Sequence, residues 1–371
     1  RRVLEQARDE SVPLLERMRF LCITSSNLDE FFEIRVARLI QQAAYGSVDT
    51  GPDNLMPSEV LVRISSIVRE ILYEQYRLLN EDLLPHMARE GIRFMARSDW
   101  TQAQSEWIAH YFETQLLPIV SPIRLDQAHP FPRVLNKSLH FIVVLEGEDA
   151  FGQAGGMAVV QAPRPLPRLI RLPADIGIGP HDFVFLSSVM HSQVNRLFPG
   201  MEVTGCHQFR VTRNSDLFVD TEEADDLLRA LEGELSSRRY GEAVRLEIDN
   251  TCPDHLVDFL QERFGLAESQ TYRVDGPVNL NRLMPLPDQV DRPDLKYPSF
   301  TPGQPPRLGQ YSDVFDNISF GKIPKIAATP KPTNPDAHLN GGDQNLNNAS
   351  EIIHKPIDKP NKSKPIPRSS P

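Results

Sequence analysis

The stretch that decides how this chain begins to fold is Ser25-Ser26-Asn27-Leu28-Asp29-Glu30-Phe31-Phe32-Glu33-Ile34-Arg35-Val36-Ala37-Arg38-Leu39. Its apolar residues recur every three or four positions, which predicts an amphipathic helix with one buried face. The first three residues are small and polar, and the second and third each precede an acidic residue by three positions. They therefore predict a capped helix start at 25–27. A preceding helix is predicted over Val12–Leu21, with Pro13 in its first turn.

Residues 1 to about 97 carry long apolar stripes at helical spacing. The longest stripe runs over Ser58–Arg89, and the turn-rich segment Tyr45–Asp53 joins it to the helix before it. Long helices with a short connection between them predict a helical bundle for 1–97. A boundary follows near residues 96–101, where Thr101 is a candidate cap for a short helix.

The region after this boundary mixes strand and helix patterns. The predicted strands are 139–145, 157–161, 169–172, 203–212 and 244–248, and the predicted helices are 183–198, 221–235 and 253–264. A sheet covered by helices follows, and we favour an α+β domain over an α/β domain for 98–303. From Pro324 onward prolines alternate with Asn, Lys and Ser, and the apolar periodicity ends. This composition predicts a disordered tail over 324–371.

Composition excludes several classes of protein. The net charge of −10 over 371 residues argues against nonspecific nucleic-acid binding. Three scattered cysteines, Cys22, Cys206 and Cys252, fit a reducing compartment, and we expect a cytoplasmic protein. No apolar run reaches the roughly 18 residues of a membrane helix, so no transmembrane segment is predicted. Peripheral membrane association stays open.

Several pieces of sequence stand in a specific order along residues 1 to about 303. They are 14–21, 26–36, Ala128-His129-Pro130-Phe131-Pro132, 166–173, 198–207, 209–214, 272–277 and 292–298. In residue identity, order and spacing they resemble the amino-terminal and middle domains of the long-form bacterial polyphosphate kinases. Residues 304–323 resemble only a degenerate start of the family's first catalytic domain.

The resemblance implies an ATP:polyphosphate phosphotransferase, which moves the terminal phosphate of ATP reversibly onto polyphosphate. It implies ATP and polyphosphate as ligands, magnesium whose ligands are not in this chain, and a homo-oligomer. The family phosphorylates a histidine within a Lys-x-His-x-Lys run in its carboxy-terminal domains, and this sequence has no such run. The chain therefore looks like a fragment that is inactive alone. The alternative is a non-catalytic module for ATP contact and oligomerisation, or a truncated gene product.

The resemblance implies a functional role for one residue. Asn27 matches the asparagine that contacts ATP in the amino-terminal domain, and its amide offers two donors and an acceptor to a nucleotide. Helix capping is the alternative role. No catalytic and no metal-ligating residue is assigned. The carboxylates of Asp29, Glu30 and Glu33 are interpreted as favoured by the helix dipole, with Glu30 or Glu33 paired to an arginine at helical spacing.

The remaining polar candidates are interpreted as structural. His129 stands before a proline and belongs to a rigid connector. His207 lacks the second pair of ligands that a metal site of this type needs. The arginines Arg164, Arg168, Arg171, Arg238 and Arg239 could contact phosphate oxygens. The prolines around the first three indicate an edge or connector more than a binding cradle.

Overall fold

The computed structural model describes residues 1–45, 54–126, 130–148, 154–215 and 241–300. A helical amino-terminal region is followed by an α+β domain, as the sequence predicts. The predicted tail at 324–371, the segment 304–323 and the predicted helix at 221–235 lie outside the described residues.

The second and third helices are continuous with each other. After α1 (Arg2–Arg8), α2 (Leu14–Glu30) runs into a π-helical turn over Phe31–Val36 and then into α3 (Ala37–Ala44). The predicted helix start at 25–27 is therefore wrong. These residues lie inside α2, where the N–H of Phe31 donates to the carbonyls of Asn27 and Leu28. The neighbouring Thr24 hydroxyl donates to the carbonyl four residues earlier, so a short polar side chain is accommodated within the helix.

The predicted long helix is confirmed. It consists of α4 (Pro57–Arg77), a second π-helical turn (Leu78–Leu83) and α5 (Leu84–Arg89). Gln75 of α4 is buried and donates its amide to the carbonyl of Leu21 in α2 at 2.8 Å. The two helices therefore pack against each other, as a bundle requires.

The strands in chain order are β1 (Ile92–Phe94), β2 (Pro122–Leu125), β3 (His140–Glu148), β4 (Ala154–Gln161), β5 (Leu169–Arg171), β6 (His181–Phe185), β7 (Glu202–Arg213), β8 (Ala243–Asp249) and β9 (Thr271–Val274). Six of them form one sheet in the order β2-β4-β3-β7-β8-β9. All neighbours in this sheet are antiparallel except β8 and β9, which are parallel.

A second, three-stranded sheet has the order β1-β6-β5. In it β1, which follows the helical region, pairs in parallel with β6, where Phe94 stands opposite Phe183. The predicted helix over 183–198 is therefore shortened, because its first residues belong to β6 and α7 spans Leu186–Gln193. The sequence did not predict the strands β1, β2, β6 and β9. They are too short or too uniformly buried to show an alternation of apolar and polar residues.

The other helices follow the sequence closely. The helix α6 (Gln102–Tyr111) is capped by Thr101 as predicted, because the Gln104 N–H donates to the threonine hydroxyl at 3.3 Å. The predicted helix over 253–264 is α8 (Asp254–Phe264), which ends at Gly265 in the left-handed conformation. A short α9 (Leu286–Gln289) completes the described helices.

The six-stranded sheet is buried on both faces. Phe141 and Val143 of β3 belong to the core shared with the amino-terminal helices, whereas Ile142 between them belongs to the core under α8. The same alternation places Phe209 and Leu246 on the α8 face. Their strand neighbours therefore point toward the amino-terminal helices, and several of those neighbours are charged.

Candidate nucleotide-contact site

Asn27 lies on the exposed side of α2, beside a cavity of about 310 Å³ between α2 and α4. Most of the lining is aliphatic or aromatic. The residues that line it are Arg1, Val3, Thr24, Asn27, Leu28, Phe31, Ile64, Ile67, Val68 and Ile71. At its rim, Arg1 donates to the carboxylate of Glu70 on α4 at 2.5 Å. An apolar cavity with a few polar groups at its edge is the usual form of a small-molecule site.

The amide of Asn27 is the polar group that this cavity leaves available. Within the described parts of the chain, no group forms a hydrogen bond with it, whereas the hydroxyl of Thr24 already donates to the carbonyl of Phe20 at 3.0 Å. Asn27 is not a helix cap, because it lies in the interior of α2. The capping alternative is therefore wrong, and the nucleotide role remains a prediction.

The opposite face of the same helix is anchored by buried charges. Two residues after Asn27, Asp29 is buried against the sheet. Its carboxylate accepts hydrogen bonds from Arg210 of β7 at 2.8 and 2.9 Å and also from Arg245 of β8. Both guanidinium groups form ion pairs with Glu247 as well, that of Arg245 at 2.6 Å. We call these four residues the ion cluster.

Asp29 and Arg210 keep their charges although both are buried. Burial raises the pKa of Asp29, but the guanidinium groups of Arg210 and Arg245 outweigh burial and hold that pKa below its usual value. Burial lowers the pKa of Arg210, yet Asp29 and Glu247 together raise it above its usual value. The Arg245 guanidinium also lies over the ring of Phe32, 4.7 Å from its centre, which is a favourable cation–π distance.

The π-helical turn brings a second acidic residue toward the sheet domain. Glu33 accepts from Asn136 at 2.7 Å and pairs with Lys137 at 2.8 Å, both in the segment before β3. The predicted pairing of Glu33 with an arginine at helical spacing is therefore wrong, because this side chain is buried against another element. Asp29 is likewise not a simple first-turn carboxylate, since it lies near the end of α2.

These contacts fix the orientation of α2. With Asp29 and Glu33 held on one face by the sheet domain, Asn27 is held toward the cavity. Sequence reasoning missed Arg210, Arg245 and Glu247. A signal for them exists, because Phe209-Arg210-Val211 and Arg245-Leu246-Glu247-Ile248 place charges between the apolar residues of strands. Such charges on a buried face must be paired.

The other predicted polar candidates are spread over the structure. His207 lies 3.4 Å from a carboxylate oxygen of Asp249, which also accepts from the Thr251 hydroxyl at 2.5 Å. Its structural role stays a prediction. Arg171 donates to the carbonyl of Pro180 at 2.8 Å. His129, Arg238 and Arg239 lie outside the described residues.

A larger groove of about 740 Å³ lies between α4, α8 and β9. Two of the three arginines that line it are paired with carboxylates, Arg273 with Asp254 and Arg77 with Glu81 at 3.4 Å. The third, Arg69, donates to the backbone carbonyl of Glu268 at 2.9 Å. Five acidic residues line it, namely Glu81, Asp254, Asp258, Glu268 and Asp275. This groove does not have the charge that a phosphate chain requires. Among the described residues no group of three or more His, Cys, Asp or Glu is arranged to hold a metal ion.

Comparison with known protein families gives a consistent assignment. Residues 1–95 match the model of the polyphosphate kinase N-terminal domain, and residues 103–286 match that of the polyphosphate kinase middle domain. The two matched ranges cover most of the chain, and the chain therefore belongs to the polyphosphate kinase family.

Individual relatives are close in sequence. The chain is 54% identical over 318 residues to polyphosphate kinase of Pseudomonas aeruginosa, covering 86% of this chain and 46% of that protein. It is 53% identical over 323 residues to polyphosphate kinase of Neisseria gonorrhoeae, covering 87% of this chain and 47% of the relative. The chain thus spans about half the length of these relatives.

The fold also has a counterpart among solved structures. The crystal structure of polyphosphate kinase from Porphyromonas gingivalis superposes with a TM-score of 0.65, covering 85% of this chain and 44% of that chain. Sequence identity in this comparison is 23%, so the likeness concerns the fold. Within the described ranges, no helix has the length and apolar character needed to cross a membrane.

Proposed function

We propose that this chain supplies part of the nucleotide site of an ATP:polyphosphate phosphotransferase, which transfers the terminal phosphate of ATP reversibly to polyphosphate. Membership in the polyphosphate kinase family supports the class of reaction. The single observation that carries the residue assignment is the Asn27 amide, which lies beside an apolar cavity with no hydrogen bond to any other described residue.

The cavity suits a flat, mostly apolar group that carries polar atoms at its edge. Phe31 and Ile64 offer apolar surface to such a group, and Asn27 offers two donors and one acceptor to its edge. The base of a nucleotide has this character. The ion cluster fixes the opposite face of α2 to the sheet, so the Asn27 amide is already positioned before the ligand binds.

Magnesium is expected for phosphoryl transfer, where it neutralises charge on the phosphate oxygens. The described residues contain no arrangement of carboxylates, histidines or cysteines that fits a magnesium site. We therefore assign no metal ligand among these residues and derive no step through the metal.

Nucleotide binding can be tested at Asn27 with a matched control. Replacing Asn27 by alanine removes one hydrogen bond, worth roughly 0.5–1.5 kcal/mol, so ATP affinity measured by calorimetry should fall about two- to twelvefold. Asn27→Asp should weaken ATP binding further, because it adds a negative charge beside an anionic ligand. Gln42→Glu adds the same charge at an exposed position of α3 and should leave ATP affinity unchanged. Equal ATP affinity of Asn27→Asp and the wild type would show that the proposal is wrong.

A second proposal is that this chain acts as a non-catalytic module for ATP contact and homo-oligomer assembly. It is supported by the position of Asn27 beside the cavity between α2 and α4. Exposed apolar side chains on α4, among them Val62 and Tyr73, offer surface for assembly. Incubation with labelled ATP and magnesium should give neither phosphoprotein nor polymer. Robust polymer synthesis by the purified chain would contradict it.

A further inference from the structure

Three arginines that are not part of the ion cluster lie near one another in the sheet domain. Arg164 and Arg168 lie in the segment between β4 and β5, and Arg282 lies in the short turn Leu280–Leu283 that precedes α9. We call these three residues the arginine group. The turn that carries Arg282 lies beside the segment that binds Arg164, because Asn279 donates to the carbonyl of Lys137 at 3.1 Å and Arg164 donates to the hydroxyl of Ser138 at 2.8 Å. Arg282 and Arg164 also contribute to lowering the pKa of Arg168.

The arginine group is short of negative charge. Burial first, and then the guanidinium groups of Arg282 and Arg164, lower the pKa of Arg168 to about 10. One of its terminal nitrogens, Nη1, is fully buried and has no hydrogen-bond partner. Within the described residues, no carboxylate forms an ion pair with any member of the group.

One member of the group is held rigidly by the protein. Arg164 donates from Nε to the hydroxyl of Ser138 at 2.8 Å and from Nη2 to the carbonyl of Asn136 at 3.0 Å. Its remaining nitrogen makes no hydrogen bond to the described parts of the chain. Nearby His140 adds no charge, because burial first, and then Arg168 and Arg164, lower its pKa to about 4.

Two arginines that are more deeply buried than Arg168 are neutralised by carboxylates, although Nη1 of Arg245 also has no hydrogen-bond partner. Arg210 and Arg245 share two carboxylates in the ion cluster. Arg77 and Arg273 of the large groove also have acidic partners. A buried guanidinium without a partner is costly, and an anion bound between the three arginines would remove that cost.

We propose that the arginine group binds the oxyanion of a phosphoryl group, from either a polyphosphate chain or the triphosphate of a nucleotide. Guanidinium groups are planar donors whose paired N–H bonds match phosphate oxygens. The site gives a chain of net charge −10 a local positive region for a polyanion. The choice of phosphoryl oxygens over other anions rests on the proposed function.

Binding of tripolyphosphate, ATP and citrate, measured by calorimetry at low and moderate salt, tests this site. The double variant Arg168→Gln/Arg282→Gln should bind tripolyphosphate at least tenfold more weakly than the wild type. Arg196→Gln is the matched control, because this exposed arginine on another element already pairs with Glu113. It should bind within twofold of the wild type. Arg282 is exposed, so Arg282→Gln alone should fold normally and should still weaken binding at least threefold.

The outcomes separate the source of the anion. If only tripolyphosphate binding falls in the double variant, the ligand is a polyphosphate chain, and if ATP binding falls equally, the ligand includes a nucleotide triphosphate. Unchanged tripolyphosphate binding in the double variant, or citrate binding as tight as tripolyphosphate binding, would overturn the proposal. Asn27→Asp should bind tripolyphosphate as the wild type does, so failure at Asn27 and failure at the arginine group are distinguishable.

Discussion

The ion cluster and the arginine group both collect guanidinium groups, but only the ion cluster is fully buried and neutralised by carboxylates of the protein. In the ion cluster, Arg210 and Arg245 share the carboxylates of Asp29 and Glu247. In the arginine group, Arg168 faces two like charges and keeps a buried nitrogen without a partner. Buried carboxylates neutralise the guanidinium groups of the ion cluster and fix helix α2 to the sheet. No described carboxylate pairs with the arginine group, which leaves binding capacity for an external anion.

The same substitution in both places should show this difference most strongly. Arg245→Gln leaves two buried carboxylates with a single guanidinium, so we expect the free energy of unfolding to fall by about 3–5 kcal/mol. Arg282→Gln removes an exposed charge without a described partner and should change that free energy by less than about 0.5 kcal/mol. Urea denaturation measures both. Comparable losses in the two variants would mean that the arginine group is as structural as the ion cluster.

Protonation of Asp29 should make the stability of the folded chain depend on pH. Its pKa in the folded chain is lowered, while in the unfolded chain it is close to the usual value of about 3.9. The contribution of this carboxylate is therefore fully present above about pH 4 and is lost as the pH falls through the lower, folded pKa. The difference in urea midpoint between the wild type and Asp29→Asn should shrink below pH 4. A difference that stays constant down to pH 2 would contradict the assignment.

The smallest change in the free energy of unfolding is expected for a substitution on the exposed side of α2. Because Asn27 lies inside the helix, Asn27→Ala should raise the free energy of unfolding by up to about 0.7 kcal/mol through helix propensity alone. A capping asparagine would instead lose about 1 kcal/mol on the same change. Urea denaturation without ligand gives the sign. A clear loss of stability would restore the capping role that the geometry excludes.

The sequence predicted the elements whose signals are local. The stripe of α4 and α5, the Thr101 cap of α6 and the strand β3 all follow from residues close to one another in the chain. The helix start at 25–27 was wrong for the same reason, because capping residues and polar residues inside a long helix look alike locally. Only the packing of α2 on the sheet distinguishes them.

The site could be predicted in part. The resemblance pointed to Asn27, and the cavity beside it required the structure. The roles of Asp29 and Glu33 were beyond local reasoning, because their partners Arg210 and Lys137 are more than a hundred residues away. The arginine group was visible only as two arginines among prolines, since Arg282 comes from a distant turn. The domain boundaries of 1–97 and 98–303 stay a prediction.

The ion cluster also has a consequence for synthesis of the chain on the ribosome. Asp29 and Arg210 are separated by 181 residues, and Asp29 and Arg245 by 216. At 5–20 residues per second, about 10–40 s pass between translation of Asp29 and translation of its first arginine. During that time the nascent helix carries a hydrated carboxylate on the face that later becomes buried. The amino-terminal helices therefore complete their packing only after β7 and β8 have left the ribosome.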